Sequence, residues 1–296
     1  MKRPRSVGVH DGTFHADEVV AIALLILFDL VDEEGIVRTR DPDQLALCEY
    51  ICDVGGVYNP SEKLFDHHQA EYEGELSSSG MVLLYLKEQK LISKEMYTFL
   101  NNALILGVDA HDTGRSSLEI GYCSFSIIIA NYNPITDLSQ EALNKAFFDA
   151  LHFTIGHLER VIARYNYNVE CRKIVKKEME KHKICLMFDR PIPWLESFFA
   201  LGGENHPALF VLMPAGTHWK LRGIPPDYMH RMQVRLPLPE SWAGLLGGEL
   251  KQASSIPGAV FCHKGRFISV WETRENALQA LKSVLNRHRI SYENDF

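Results

Sequence analysis

An aspartate followed by two adjacent histidines, Asp66-His67-His68, comes directly after the apolar pair Leu64-Phe65 and so stands at the end of a predicted strand. The preceding sequence holds more groups of the same kind, His10, His15, Asp17 and Asp53, each beside an apolar run. Imidazoles mixed with carboxylates, with no nearby pair of thiolates, suit hard or borderline ions such as manganese or magnesium better than a structural zinc. The chemistry this pattern implies is that of a metal-dependent hydrolase.

The surrounding motifs extend the pattern. His10-Asp11-Gly12-Thr13-Phe14-His15-Ala16-Asp17-Glu18 follows one predicted strand and opens a helix. That places His10, His15 and Asp17 at the carboxyl end of a sheet, where open α/β sheets carry their sites. Asp17 and Glu18 also complement a helix dipole, but a dipole does not account for two histidines in the same turn. Asp53-Val54-Gly55-Gly56 is either simple turn chemistry or a single carboxylate placed to bridge two ions. Adjacent residues leaving a strand point in opposite directions, so His67 and His68 need not meet the same ion; one can ligate while the other reaches a substrate. In Gly107-Val108-Asp109-Ala110-His111-Asp112-Thr113-Gly114-Arg115, spacing leaves open whether Asp109 or Asp112 is a ligand, and Arg115 suits a phosphate. Two later segments, His218 to Gly223 and Phe261 to Arg266, set basic side chains beside glycine at strand ends. They fit closure over an anionic substrate as well as they fit a solvated sheet edge.

These side chains need a scaffold, and the hydrophobic pattern supplies one. Strand-like runs at Val7–Val9, Ile36–Arg38, Tyr50–Val54 and Leu64–Phe65 alternate with helical patterns at Ala16–Val31, Ser79–Lys90 and Lys94–Leu106. Such alternation predicts a layered α/β domain with a largely parallel sheet and flanking helices. A long helical stretch runs from about Leu138 to Lys183, and its charged run at Arg172–Glu178 reads as a solvated face. Further strands are expected at Ala208–Met213, His218–Leu221 and Ala259–Cys262, and a last amphipathic helix at Arg274–Arg287. The resulting division is a catalytic domain over 1–137, a helical connector over 138–183 and a smaller α/β substrate-binding domain over 184–296.

With 296 residues, 46% hydrophobic and 23% charged, the chain has the composition of an ordinary globular protein. Its longest apolar run, Val19 to Leu30, is too short to span a bilayer and is bounded by Glu18 and Asp29; no membrane partner is expected. The basic tip at Lys2, Arg3 and Arg5 reads as a frayed terminus without a signal sequence. Six cysteines without a paired framework are expected as mostly buried thiols of a cytoplasmic protein. A net charge of −7 argues against a surface built to grip long duplex DNA, although metal ions would bring positive charge to the site itself.

Taken together, these motifs resemble the DHH phosphoesterase superfamily. The chain is more closely similar to one branch, the melanocyte-proliferating-gene (Myg) exonuclease family. The likeness rests on the His10–Glu18 segment, Asp53–Gly56, Phe65-Asp66-His67-His68-Gln69, Ser77–Gly80, Val108–Asp112, Leu221–Pro225 and Gly258–His263. It implies a two-metal site with His10 and His15 on one ion, Asp53 bridging, and Asp17, His67 and Asp112 on the other. His68 would meet the scissile phosphate or act as general acid, with Asp66 orienting an imidazole from behind. His15 stands where most of the superfamily has an acid, which alters metal preference.

The implied activity is a 3′–5′ exonuclease acting on RNA or short oligonucleotides, with two divalent ions, manganese foremost and magnesium or cobalt as alternatives. Ser78 and Ser79 at a helix start, Arg115, Arg222, His263 and Lys264 would contact that substrate. The alternatives are a phosphatase for pyrophosphate, a cyclic dinucleotide or a nucleotide, and a non-catalytic metal-dependent nucleotide-binding protein. A homodimer is allowed but nothing in the sequence requires it.

Overall fold

The computed structural model describes residues 2–117 and 119–292. The chain divides into two compact units, Met1–Tyr165 and Asn166–Phe296. The boundary falls inside a helix, so the connector expected over 138–183 is shared between the units.

The first unit contains β1 (Arg3–Val9), α1 (Ala16–Leu27), β2 (Ile36–Arg38), α2 (Pro42–Leu45), β3 (Cys48–Cys52), β4 (Tyr58–Asn59) and β5 (Leu64–Phe65). There follow α3 (Ser78–Glu88), α4 (Lys94–Leu100), α5 (Leu106–Asp112), α6 (Phe125–Ala130) and the start of α7 (Gln140–Met179). Its sheet runs β2-β1-β3-β5-β4. The first four of these strands are parallel, and β4 joins as an antiparallel edge. This is the mixed α/β architecture with a parallel-rich sheet that the alternating pattern predicts.

Beyond its first turn, helix α1 is apolar on every face, as a helix enclosed by the core must be. It packs against α3, α5, α6 and β3, and Val19 to Leu25 are fully buried. It stops at Leu27, short of the expected Val31, because Asp29 turns left-handed at φ 60°. The basic tip is not frayed. Arg3 and Arg5 belong to β1, and Arg5 is ion-paired with Asp29 at 2.6 Å and Asp32 at 2.7 Å.

Between α4 and α5 the helix widens into a π-turn over Asn101–Ile105. Asp109 and Asp112 therefore lie inside a helix and not in a loop after one.

The second unit contains the end of α7, β6 (Cys185–Met187), α8 (Trp194–Ala200), β7 (Phe210–Ala215), β8 (His218–Gly223), α9 (Gly247–Ser254), β9 (Ala259–Cys262), β10 (Ile268–Trp271) and α10 (Arg274–Arg287). Its sheet runs β6-β7-β8-β10-β9, antiparallel except for the β6–β7 pair. Strand alternation divides β7 between two cores. Phe210 and Leu212 join the cluster with α9 and α10, while Val211 and Met213 join the one with α8 and the end of α7. Five of the six cysteines are buried and Cys123 is exposed. Among the described residues, no helix is long and apolar enough to cross a membrane.

Candidate metal centre

The carboxyl ends of β1, β3 and β5 deliver the site. His10 follows β1, Asp53 follows β3 and Asp66 follows β5. His15 precedes α1, with Asp17 and Glu18 in its first turn, and Asp112 is the last residue of α5.

His10 is buried, and Asp11 O accepts from its Nδ1 at 2.8 Å. That leaves Nε2 3.1 Å from Glu18 Oε1 and 3.3 Å from Asp53 Oδ2. Burial works against the charged ring, but the two carboxylates outweigh it and raise the His10 pKa to about 10. Glu18 Oε1 also accepts the backbone N–H of His15 at 2.8 Å. Asp53 sits in the left-handed region at φ 54°, where a short polar side chain is tolerated. Its other oxygen lies 3.4 Å from His68 Nδ1 and 3.8 Å from His67 Nδ1.

His67 and His68 do not diverge. Their rings stack, with centroids 4.3 Å apart and planes 29° from parallel. Strand alternation fails here because β5 ends at Phe65, before either histidine. His67 Nε2 meets Asp112 Oδ2 at 2.9 Å. Although burial opposes it, that bond raises the His67 pKa and lowers that of Asp112. Asp66 Oδ1 accepts from the His68 backbone N–H at 3.2 Å and lies 2.8 Å from His68 Nδ1, while Oδ2 accepts from Gly56 N–H at 2.6 Å. Gly55 and Gly56 have φ of +100° and +66°, values that glycine adopts without strain. Asp66 is thus held from both sides and fixes the His68 ring, whose side chain is 62% exposed.

Among the described residues, three sets of donor atoms converge, each within 4.8 Å: His10, His15, Glu18 and Asp53; Asp53, Asp66, His67 and His68; and His15, Asp17 and Asp112. Asp53 belongs to the first two sets and His15 to the first and third. Both Asp17 oxygens, Glu18 Oε2, Asp53 Oδ1 and His67 Nδ1 are buried without a hydrogen-bond partner. With Asp17 deprotonated and His67 neutral, its Nε2 facing a carboxylate, all of these are lone pairs. Buried acceptors are ordinarily satisfied, and a converging group of them is costly unless a cation neutralises it. Burial and the neighbouring Asp53, Glu18 and Asp112 charges push the Asp17 pKa well up. The donor set fits a divalent metal.

Two cavities flank the cluster. One of about 370 Å³ is lined by His10, Thr13, Arg40, Asp53 and Asp66; one of about 310 Å³ by Asp17, His111, Asp112 and Ser126. His15 and His68 line both.

The fold brings His10, His15, Asp17, Asp53, Asp66, His67, His68 and Asp112 together, while Asp109, Ser78, Ser79 and Arg115 of the same unit have other partners. Asp109 is buried against the start of α3. Its Oδ1 accepts from Ser77 Oγ at 2.7 Å, Ser79 Oγ at 2.8 Å, Gly80 N–H at 3.1 Å and Ser77 N–H at 3.2 Å. Gly80 is required there, because a Cβ would lie 2.1 Å from Asp109 Oδ2. The amino end of α3, expected to receive a phosphate, is therefore filled by the chain's own carboxylate. Ser78 and Ser79 are buried; Ser78 Oγ donates to Phe65 O at 2.8 Å and Ser79 Oγ to Asp109. Arg115 donates to Glu75 O at 2.5 Å and pairs with the Glu75 carboxylate at 3.2 Å. Arg222, His263 and Lys264 lie in the second unit, where Gly265 N–H donates to His263 Nδ1 at 2.9 Å.

Two participants escaped sequence reasoning. Glu18 was legible only as a dipole partner, although its place beside Asp17 in the turn after His15 was a usable signal. Arg40 lines the larger cavity and reaches Asp11 at 3.3 Å.

The profile of the MYG1_exonuc family, described as "Uncharacterised protein family (UPF0160)", matches residues 6–285. The chain belongs to the MYG1_exonuc family. A relative from Chlamydia trachomatis, named MYG1 protein, is 56% identical over 290 residues, covering 98% of this chain and 100% of the relative. A relative from Bos taurus, named MYG1 exonuclease, is 31% identical over 333 residues, covering 96% of this chain and 87% of the relative. A solved structure of exonuclease RecJ bound to manganese shares 16% identity with a TM-score of 0.29, covering 97% of this chain and 91% of that one. That likeness is too low to bear on the chemistry. The MYG1_exonuc match includes every residue of the donor cluster.

Proposed function

We propose that this chain is a metal-dependent phosphodiesterase that removes nucleotides from RNA or short oligonucleotides by 3′–5′ exonucleolytic hydrolysis. The observation that carries the reading is Asp53, which belongs to two donor sets at once. A carboxylate so placed suits contact with two cations: His10, His15 and Glu18 would hold one with it, and His67 would hold the other together with Asp17 and Asp112, which converge on His15. The names of the mammalian relatives support exonuclease activity. Manganese is the proposed ion, since imidazoles take the place of oxygen donors that magnesium favours. When bound, such ions polarise the phosphoryl group and lower the pKa of water.

The chain's own groups supply the rest. Asp66 fixes the His68 ring through Nδ1, which directs Nε2 to the leaving oxygen as a proton donor. His15 and His68 line both cavities, so a phosphodiester between those rings has room on either side. Arg40, beside His10 in the larger cavity, is placed to meet a non-bridging oxygen. Arg222, His263 and Lys264 are proposed as substrate contacts from the second unit.

The test uses purified protein, 5′-labelled RNA, single-stranded DNA and pyrophosphate, with manganese, magnesium or cobalt. A descending RNA ladder that disappears in Asp53→Ala and His67→Ala supports the reading. Turnover of pyrophosphate alone, or a ladder unchanged in both variants, overturns it.

A further inference from the structure

The smaller of the two cavities beside the donor cluster holds two polar groups that the proposed chemistry leaves unused. His111, next to last in α5, and Ser126, in the first turn of α6, both line it. These helices pack against each other, and Ser126 is buried. Among the described residues, neither the His111 ring nor the Ser126 hydroxyl has a hydrogen-bond or ionic partner. Ala130 lies four residues beyond Ser126, on the same face of α6, and lines the cavity with only a methyl group. At about 310 Å³ the space is at the lower end of small-molecule sites.

The lining decides what this space can take. Among the described residues, no lysine or arginine borders it, whereas Arg40 borders the larger cavity. It therefore suits a neutral polar group better than a further phosphate. A neutral imidazole, in either tautomer, and a hydroxyl each give one hydrogen bond and accept another, which matches a hydroxyl guest. His15, His68, Asp17 and Asp112 border the same cavity, so its occupant lies next to any phosphate held at the donor cluster. On the 3′-ester side of a nucleotide chain, the polar group nearest that phosphate is the 2′-hydroxyl, carried by the carbon beside the esterified one. The base edges lie farther away.

We infer that His111 and Ser126 bind the 2′-hydroxyl of the ribose whose 3′-oxygen leaves, and so select RNA over DNA. The identity of the guest rests on the proposed hydrolysis, whereas the hydroxyl-binding pair rests on the cavity. A site built to bond a hydroxyl rejects the analogue without one, because its own polar groups are then left unpaired. His68 borders the cavity with a side chain 62% exposed, so water can refill the space and hold that discrimination to about tenfold.

Dinucleotides of uridine test this on the full-length chain: UpU, a first analogue with 2′-deoxyribose in the 5′ nucleoside, and a second with 2′-deoxyribose in the 3′ nucleoside. With manganese, kcat/KM is expected to fall about tenfold for the first analogue and to hold for the second. Ser126→Ala and His111→Ala should each shrink the ratio of UpU to the first analogue toward one, without lowering the melting temperature. A purely structural role would slow all the dinucleotides alike. Isothermal titration in EDTA, where nothing turns over, reads binding separately; UpU should bind more tightly than the first analogue until either side chain is removed. Equal kcat/KM for UpU and the first analogue, or a ratio unchanged in both variants, overturns the site and leaves the hydrolase reading standing. Titrations that separate those two dinucleotides, with neither cleaved under manganese, overturn the hydrolase reading and support the site.

Discussion

Arg38 holds the Gly12 carbonyl at 2.6 Å with one guanidinium nitrogen and Asn144 Oδ1 at 2.9 Å with another. Its plane lies over Phe147, 4.6 Å from the ring centroid. Gly12 N–H in turn donates to Gln140 at 3.2 Å, and Phe14 N–H to Asn133 at 3.1 Å. The loop carrying His10 and His15 is thus clamped to the start of α7. Arg38→Ala should lower stability by about 2 kcal/mol, the scale of a lost charged hydrogen bond, and weaken metal binding. Arg38→Lys should not restore either, since an ammonium cannot stack and fork together. Thermal melts and manganese titrations of the three proteins check this.

Asp109 and Asp112 are three residues apart but should fail differently. Asp109→Ala abandons the buried donors of Ser77, Ser79 and Gly80, so a stability loss of about 3 kcal/mol or more is expected. Asp112→Asn removes a charge from a crowded cluster and should cost metal affinity while leaving the metal-free melting temperature almost unchanged. Chemical denaturation with and without manganese separates the two.

Asp66→Asn and His68→Ala should retain bound metal yet slow turnover by about 10²- to 10⁴-fold, the usual contribution of a positioned proton donor. Metal content by elemental analysis, set beside single-turnover rates, measures both. Loss of metal from His68→Ala would move that ring from proton transfer to ligation.

Metal uptake should release protons and strengthen as pH rises. His10, with a pKa of about 10, and Asp17, pushed well up, both hold protons that a cation must displace. Lower pH therefore raises the competition, and higher pH removes it. Manganese titrations at pH 6.5 and 8, in buffers of different ionisation enthalpy, report the number of protons released. An affinity independent of pH would contradict the ligand assignment.

The candidate metal centre was legible because its polar groups announce themselves locally. His10, Asp53 and Asp66 each end an apolar strand, and strand ends in a parallel sheet share one edge. What escaped depends on distance across the fold. Nothing near Asp109 in the chain indicates that Ser77 and Ser79 will fill one of its oxygens. The π-turn at Asn101–Ile105 shifts helical phase without a sequence mark, which hid the fact that Asp109 and Asp112 face different neighbours. β4, β6 and β10 gave no separate signal beside the loops that flank them.

Helix α7 is 40 residues long, about 60 Å at the usual rise, and the division between the units falls between Tyr165 and Asn166 within it. Phe147 and Leu151 are committed to one core and Cys171 and Val175 to the other. A gene break at that point would leave each product with a severed helix and a stripe of apolar residues in water. Ordinary two-part enzymes exchange their parts through linkers that tolerate cutting; this chain offers no such seam there.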